Sequence, residues 1–457
     1  MKMNPTIFRE YDIRGLAEED FDAGFARALG RAFGSRLVRG HAKGGRPTLA
    51  VGRDYRPTSP GYTAELIGGL REVGVDVLDI GPCPTPLLYY ALHELPVDGG
   101  IEVTASHNPS EFNGFKLCVG TRALHGEDIA SLRGEIERAD FTKGAGTLGE
   151  RDVATPYLAF CRDQFGTMPR KLKVVCDAGN GAGGLLGPIV LRAMGCEVVE
   201  LYCEPDGTFP NHHPDPTVSE NLEDLIKAVA AEGADLGVAF DGDADRVGAV
   251  APGGRILWGD ELLVIFAREI LARRPGSVVI SEVKCSQRLF DEVERLGGQA
   301  VMWKAGHSLI KARLNELGAV VGGEMSGHMF FEDRFFGHDD AIYAAARLVE
   351  IVARSEGGLL DLLAGLPESF TTPELRVDCP DEIKFEVTRR VTERLRRDHE
   401  IIDIDGVRAK FEHGWGLVRA SNTQPVLVLR FEATTAAARD EYRAYVERIV
   451  EETRAEF

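Results

Sequence analysis

The chain has 457 residues, too many for one hydrophobic core, so several domains of ordinary size are expected. Its 44% hydrophobic and 27% charged residues are those of a globular protein that dissolves in water, which excludes fibrous and disordered classes. A net charge of −19 argues against a nucleic-acid-binding surface, and no run is apolar and long enough to span a bilayer.

Eight cysteines lie scattered without a C-x-x-C pair, and the first residues lack a signal peptide's apolar region. Reduced core thiols and a cytoplasmic location are expected.

The first domain, expected over residues 1–150, opens with the polar segment Phe8-Arg9-Glu10-Tyr11-Asp12-Ile13-Arg14-Gly15. A strand at Thr48-Leu49-Ala50-Val51, a helix from Tyr62 to Val73 and a strand from Val75 to Ile80 follow, the alternation of a mostly parallel α/β sheet. Next, Gly100-Ile101-Glu102-Val103 delivers Thr104-Ala105-Ser106-His107-Asn108-Pro109, with Lys116 ten residues past the serine. Ser106 lacks the G-x-S-x-G elbow of a hydrolase, and an adjacent histidine rarely points back at its neighbour's hydroxyl.

The second domain, expected over 151–252, carries a strand ending at Cys176 and then Gly179-Asn180-Gly181-Ala182-Gly183-Gly184, a literal G-x-G-x-x-G with Glu200 downstream. A nicotinamide-dependent dehydrogenase is therefore a rival reading, although it leaves the next motif unexplained. That motif is Asp241-Gly242-Asp243-Ala244-Asp245-Arg246, between the apolar runs Leu236–Phe240 and Val247–Val250. In an extended loop the three aspartates point one way, and their mutual repulsion calls for a hard cation such as Mg²⁺. An EF-hand is a weak reading because Arg246 and Pro252 occupy its glycine and glutamate positions. Arg246 beside such a loop suits a phosphate bridging the two.

The third domain, expected over 253–368, repeats the theme of polar loops after strands: Lys284 after Val278–Ile280, His307 after Ala300–Trp303, and Glu324, Ser326 and His328 after Ala319–Val321. Open α/β sheets bind ligands at the carboxyl ends of their strands. The last segment, expected over 369–457, reads as a small α+β domain with helices at 382–397 and 436–452. Its turn Arg419-Ala420-Ser421-Asn422-Thr423-Gln424-Pro425 offers a guanidinium, hydroxyls, an amide and backbone N–H groups to a phosphate.

Taken together and in this order, the motifs around Tyr11, Ser106, Asp241, Glu324 and Arg419 make the chain similar to the α-D-phosphohexomutases, in the bacterial phosphomannomutase/phosphoglucomutase branch. The resemblance implies an α/β fold: three related α/β domains with mixed, mostly parallel sheets plus a C-terminal α+β domain, around a central active-site cleft. No internal repeat is visible in the sequence itself. The glycines at 179–184 become structural.

The resemblance further implies an isomerase that interconverts hexose 1-phosphate and hexose 6-phosphate. Ser106 carries a phosphoryl group, and Asp241, Asp243, Asp245 and the Ser106 phosphate hold one Mg²⁺ per chain. Tyr11, Lys284, Arg419, Ser421, Asn422 and Thr423 bind substrate, with Glu324 and Ser326 on sugar hydroxyls. A hexose 1,6-bisphosphate serves as intermediate and activator. Arg14, His107, Lys116, Arg246, His307 and His328 complete the catalytic set; among the candidate bases Lys116 and His328 are favoured over an arginine. Met325 resembles the mannose/glucose branch rather than the glucosamine one. Phosphosugars are the expected partners, with no nucleic acid or membrane, in a monomer or small homo-oligomer. A metal-dependent phosphatase, which lets water reach the phosphoenzyme, and a non-catalytic sugar-phosphate binder are the other classes.

Overall fold

A computed structural model describes residues 1–42, 44–422 and 424–457. Three successive sheets follow one plan. In the first, Thr48–Arg53 lies between Asp76–Pro82 and Gly99–Val103, parallel to both, and Phe112–Val119 follows antiparallel. In the second, Lys173–Asp177 lies between Glu197–Leu201 and Leu236–Phe240 in the same way, with Val247–Val250 antiparallel beyond. In the third, Val278–Glu282 lies between Gln299–Trp303 and Val321–Gly323, with Met329–Phe331 antiparallel. The repeat that the sequence hides is plain in the strand order.

Parallel neighbours need a long crossover, whereas the antiparallel fourth strand needs only a turn. In each sheet that turn is short and held at both ends. The three turns, 104–111, 241–246 and 324–328, contain Ser106, the aspartates and Glu324. This reversal makes all three sheets mixed, and further antiparallel pairs follow it in the first and second.

Every residue of Gly99–Val103 and of Leu236–Phe240 is buried, as expected for strands covered by helices on both faces. The helix Ala341–Arg354 is buried along most of its length in a core shared by the second and third sheets. Its first turn is capped by Asp340, whose Oδ1 accepts the Tyr343 N–H at 2.8 Å. Leu148–Glu150 joins the first sheet at the end of its expected range, and Ile256–Leu257 joins the second from just beyond its own.

One strand was displaced from its expected place. Val321–Gly323 starts where the apolar run Ala319–Val321 was expected to end, because Gly322 and Gly323 pair with Ile280 and Ser281. A Cβ on Gly322 would stand 2.7 Å from the Ile280 side chain, so only glycine permits this pairing at its normal distance.

The fourth sheet is antiparallel around Val426–Ala433 and Gly414–Ala420. Val418 and Ala420 face a core with the helices Lys384–Leu395 and Ala436–Arg454, while the alternate residues Trp415 and Leu417 pack on Val283 of the third domain. Arg408, fully buried and 3.7 Å above the Trp415 ring, donates to the carbonyls of Val283 (2.7 Å) and Cys285 (2.8 Å). All eight cysteines are buried free thiols, and no helix among the described residues is long and apolar enough to cross a membrane.

Candidate active site

Ser106 stands at the start of its turn with φ +50°, in the left-handed region. That conformation swings its hydroxyl toward two groups: Oγ donates to Asp241 Oδ2 at 2.8 Å and lies 3.1 Å from His107 Nδ1. The adjacent histidine therefore does reach back to the serine, against the sequence expectation, because the backbone at Ser106 is not extended. Arg56, fully buried, fixes the loop by donating to the carbonyls of Ser106 (2.8 Å) and Asn108 (2.6 Å) while its Nε meets Asp54 Oδ2 at 3.0 Å. Arg14 spans Asn108 Oδ1 (2.6 Å) and Asp12 Oδ2 (2.5 Å).

The aspartate loop is a turn, not the extended segment expected from alternation. Ala244 takes φ +58°, and Asp241 Oδ1 accepts the N–H groups of Asp245 (3.0 Å) and Arg246 (3.1 Å). Three fully buried carboxylates converge in consequence, each offering an oxygen within 4.8 Å of the others. Gly242 brings this loop onto the serine loop: a Cβ there would stand 2.4 Å from the Ser106 carbonyl. The glycine-rich segment supports it from behind, since Ala182 N–H donates to Gly242 O at 2.9 Å and a Cβ on Gly181 would meet that oxygen at 2.7 Å. It opens only a 3-10 turn and the seven-residue helix Gly187–Ala193, and Glu200 pairs with Arg192, which removes the dinucleotide reading.

Lys116 enters from the first sheet and donates to Asp243 Oδ2 (2.6 Å) and Asp245 Oδ2 (2.5 Å). Burial alone would lower its pKa, but the two carboxylates outweigh it and hold the ammonium charged. In this arrangement Lys116 stands as a counter-ion to the two carboxylates. Thr85 adds a bond to Asp243 Oδ2 at 2.6 Å, a contact with no signal in the sequence. Burial, with Asp245 and Asp243 beside it, pushes Asp241 well above the usual carboxylate range.

The sugar-loop candidates abut this centre. Val247 N–H donates to Gly327 O at 3.1 Å, and Arg246 Nε donates to His328 Nε2 at 3.0 Å. Arginine only donates, so His328 Nε2 is the acceptor of this bond, while its Nδ1 lies 3.2 Å from Asp339 Oδ2 and 3.4 Å from Asp245 Oδ1. His307 stacks on His328 with centroids 5.3 Å apart and also turns Nδ1 toward Asp339. Burial, with Arg246 and Arg14 nearby, pushes His107 well below the usual histidine pKa.

Glu324 Oε1 accepts the Gly306 N–H at 2.6 Å, and Ser326 lies half-buried in the same turn. Lys284 lies between Glu282 (3.4 Å) and Glu374 (3.2 Å); these acids, against the effect of burial, hold its ammonium charged. Tyr11 donates to Ala305 O at 2.7 Å and accepts from Asn422 Nδ2 at 2.8 Å, bringing the first and fourth domains together. Arg419 is buried and donates to Asp405 Oδ2 at 2.9 Å, and Ser421 Oγ accepts the Gln424 N–H at 3.2 Å. Thr423 lies outside the described residues.

Four family models match in succession: phosphoglucomutase/phosphomannomutase alpha/beta/alpha domain I over residues 5–143, domain II over 156–254, domain III over 258–370, and the C-terminal domain over 374–449. The chain belongs to the phosphoglucomutase/phosphomannomutase family. It is 47% identical over 436 residues to the phosphomannomutase/phosphoglucomutase of Pseudomonas aeruginosa, covering 94% of this chain and 92% of that one. To the phosphoglucomutase of Neisseria gonorrhoeae it is 42% identical over 437 residues, 94% of each chain. The crystal structure of a phosphoglucomutase/phosphomannomutase family protein from Burkholderia thailandensis matches with a TM-score of 0.91 at 43% identity, over 99% of this chain and 98% of that one.

Within this family fold the residues present fit Mg²⁺. Asp243 Oδ1 and Asp245 Oδ1 are buried with no hydrogen-bond partner, and three carboxylates outnumber the single lysine that meets them. Hard oxygens in excess negative charge suit a small divalent cation. Asp245, His328 and Asp339 also converge, but Lys311 already occupies Asp339 at 2.8 Å.

Proposed function

We propose that this protein interconverts hexose 1-phosphate and hexose 6-phosphate of the mannose and glucose type, an isomerase working by intramolecular phosphoryl transfer. The observation that carries the reading is the contact of Ser106 Oγ with Asp241 Oδ2 at 2.8 Å, at a buried carboxylate triad met by Lys116 and Arg246, with Arg14 on Asn108 of the serine loop. A buried nucleophile with anions on one side and cations around it is suited to hold a phosphoryl group and to pass it on.

In the resting state Ser106 carries the phosphoryl group. Asp241, Asp243 and Asp245 would hold the Mg²⁺, which supplies neutralisation of charge on the transferring group. Arg419, Ser421, Asn422 and Thr423 grip the phosphate that the sugar already bears, helped by Tyr11 and Lys284, while Glu324 and Ser326 hold ring hydroxyls common to both orientations. The free sugar hydroxyl attacks the phosphorus, the bond to Ser106 Oγ breaks, and the hydroxyl proton passes by way of an imidazole to Ser106 Oγ, which leaves as a hydroxyl. His107, His307 and His328 are the candidates, since Lys116 already meets Asp243 and Asp245 and Arg14 meets Asp12. The resulting hexose 1,6-bisphosphate turns end for end and returns its other phosphoryl group to Ser106; added bisphosphate acts as activator. The buried floor of the site, with the fourth domain closing over bound substrate, would keep water from the phosphoserine. A cytoplasmic enzyme, monomeric or a small homo-oligomer, goes with this reading and with its buried free thiols.

Intact mass and phosphopeptide mapping test it. A phosphoryl group on Ser106 that excess hexose monophosphate removes and hexose 1,6-bisphosphate restores is the expected result. Steady release of inorganic phosphate would establish a phosphatase instead. Absence of phosphate on Ser106 under every condition would end the mutase reading.

A further inference from the structure

Asp405 belongs to none of the motifs discussed so far. It sits in the turn between the strands Ile401–Ile402 and Val407–Phe411 of the fourth domain. Gly406 makes that turn possible. It takes φ +74°, and a Cβ there would stand 2.3 Å from Val418 O and 2.7 Å from Arg419 Cα. Glycine alone lets the turn lie flat against the neighbouring strand at the level of Arg419.

The close approach delivers Asp405 Oδ2 to two donors. One is Arg419 Nε at 2.9 Å; the other is the backbone N–H of Ala305, in the third domain, at 3.0 Å. The Ala305 carbonyl accepts the Tyr11 hydroxyl at 2.7 Å, and Tyr11 in turn accepts from Asn422, three residues past Arg419, at 2.8 Å. The next amide, Gly306 N–H, goes to Glu324 Oε1 at 2.6 Å. A ring of hydrogen bonds thus runs Arg419–Asp405–Ala305–Tyr11–Asn422 through three domains, with the sugar loop attached to it. With side chains only 7% and 15% exposed, the Arg419–Asp405 bond is a shielded, charge-assisted one. The guanidinium is planar, so fixing Nε fixes the plane in which its other N–H groups point.

We propose that Asp405 is a positioning residue for the phosphate grip: it sets the plane of the Arg419 guanidinium and ties it to the Ala305–Gly306 peptide, so that the phosphate and sugar loops are aligned together. This rests on the reading that residues 419–422 take the substrate phosphate. Asp405 touches no reacting atom. Its removal should therefore weaken substrate capture more than chemistry.

The test is steady-state kinetics of the full chain with glucose 1-phosphate, Mg²⁺ and hexose 1,6-bisphosphate, using Asp405→Ala, Asp405→Asn, Arg419→Ala and the double variant Asp405→Ala/Arg419→Ala. Loss of one charge-assisted bond predicts a KM about tenfold higher for Asp405→Ala, with kcat changed less than about threefold. Asp405→Asn, which keeps an acceptor oxygen, should fall in between, and the double variant should be no worse than Arg419→Ala alone. A KM within about twofold of the parent for both Asp405 variants, with Arg419→Ala impaired, would overturn the proposal and leave the phosphate-grip reading standing. Full additivity in the double variant would also overturn it, because Asp405 would then act elsewhere than through Arg419. If Arg419→Ala leaves KM unchanged, the grip reading itself fails and the proposal with it. Should Asp405→Ala not fold by circular dichroism, the Asp405→Asn KM decides by the same criterion.

Discussion

The Ser106 hydroxyl donates to Asp241 Oδ2 at 2.8 Å across 135 positions of sequence. Their two turns occupy the same place in successive sheets, and Gly242 brings them together. Ser106→Ala removes the oxygen that would carry the phosphoryl group while leaving the turn's backbone partners in place. Turnover should fall by on the order of a thousandfold or more, with substrate still bound. Coupled-assay kinetics and isothermal titration read this; near-normal turnover refutes the phosphoserine.

Gly242 itself is a sensitive position. Gly242→Ala would push a methyl to 2.4 Å from the Ser106 carbonyl, so the two loops must part. Overpacking of this kind costs about 1–3 kcal/mol of stability. Activity should drop at least about tenfold, because small misplacements near reacting groups are amplified in rate. Thermal melts and kcat measured on the same preparation check both effects.

Lys116 balances two of the three buried aspartates. In Lys116→Met the carboxylates lose their fixed cation, and breaking a buried pair costs about 3–5 kcal/mol. The variant should melt lower than the parent when chelator is present and recover a larger share of the loss when Mg²⁺ is added, since binding to the folded state stabilises it. Differential scanning fluorimetry against Mg²⁺ concentration measures this. Equal Mg²⁺ responses in parent and variant would contradict the assignment of the triad as the metal site.

A pH effect is expected at Asp340. Burial raises this carboxyl to about 7, despite the lowering bonds from the Tyr343 N–H and the Tyr157 hydroxyl. Its unfolded value is about 3.9, so between about pH 4 and 7 the folded chain holds a proton that the unfolded chain has lost. This group's contribution is full below about pH 4 and declines as pH rises toward 7. Asp340→Asn removes the decline, so its stability relative to the parent should increase from pH 4 to 7, by at most about 1.4 kcal/mol per pH unit. Urea melts at several pH values give the comparison, and a parallel pair of curves would reject it.

The motifs were legible in sequence because each is local. An apolar strand followed by a polar turn is written in consecutive residues, as at Leu236–Phe240 with Asp241–Arg246, and the sequence alone carried the family resemblance, the α/β alternation and the acidic metal loop. The tertiary structure decided whatever depends on partners distant in the chain. It revealed the shared strand order of three sheets whose sequences do not look alike, since a strand order constrains pairing and not residue identity. It placed Lys116 between Asp243 and Asp245, two carboxylates 127 and 129 positions away in the chain. It reversed the expectation for His107, because φ at Ser106 sets where the hydroxyl points. It brought in Thr85, Asp339 and Asp405, whose partners lie on other loops. Sequence determines which chemical groups a chain owns; their charge, direction and neighbours follow from burial and from the contacts that folding closes over long stretches of chain.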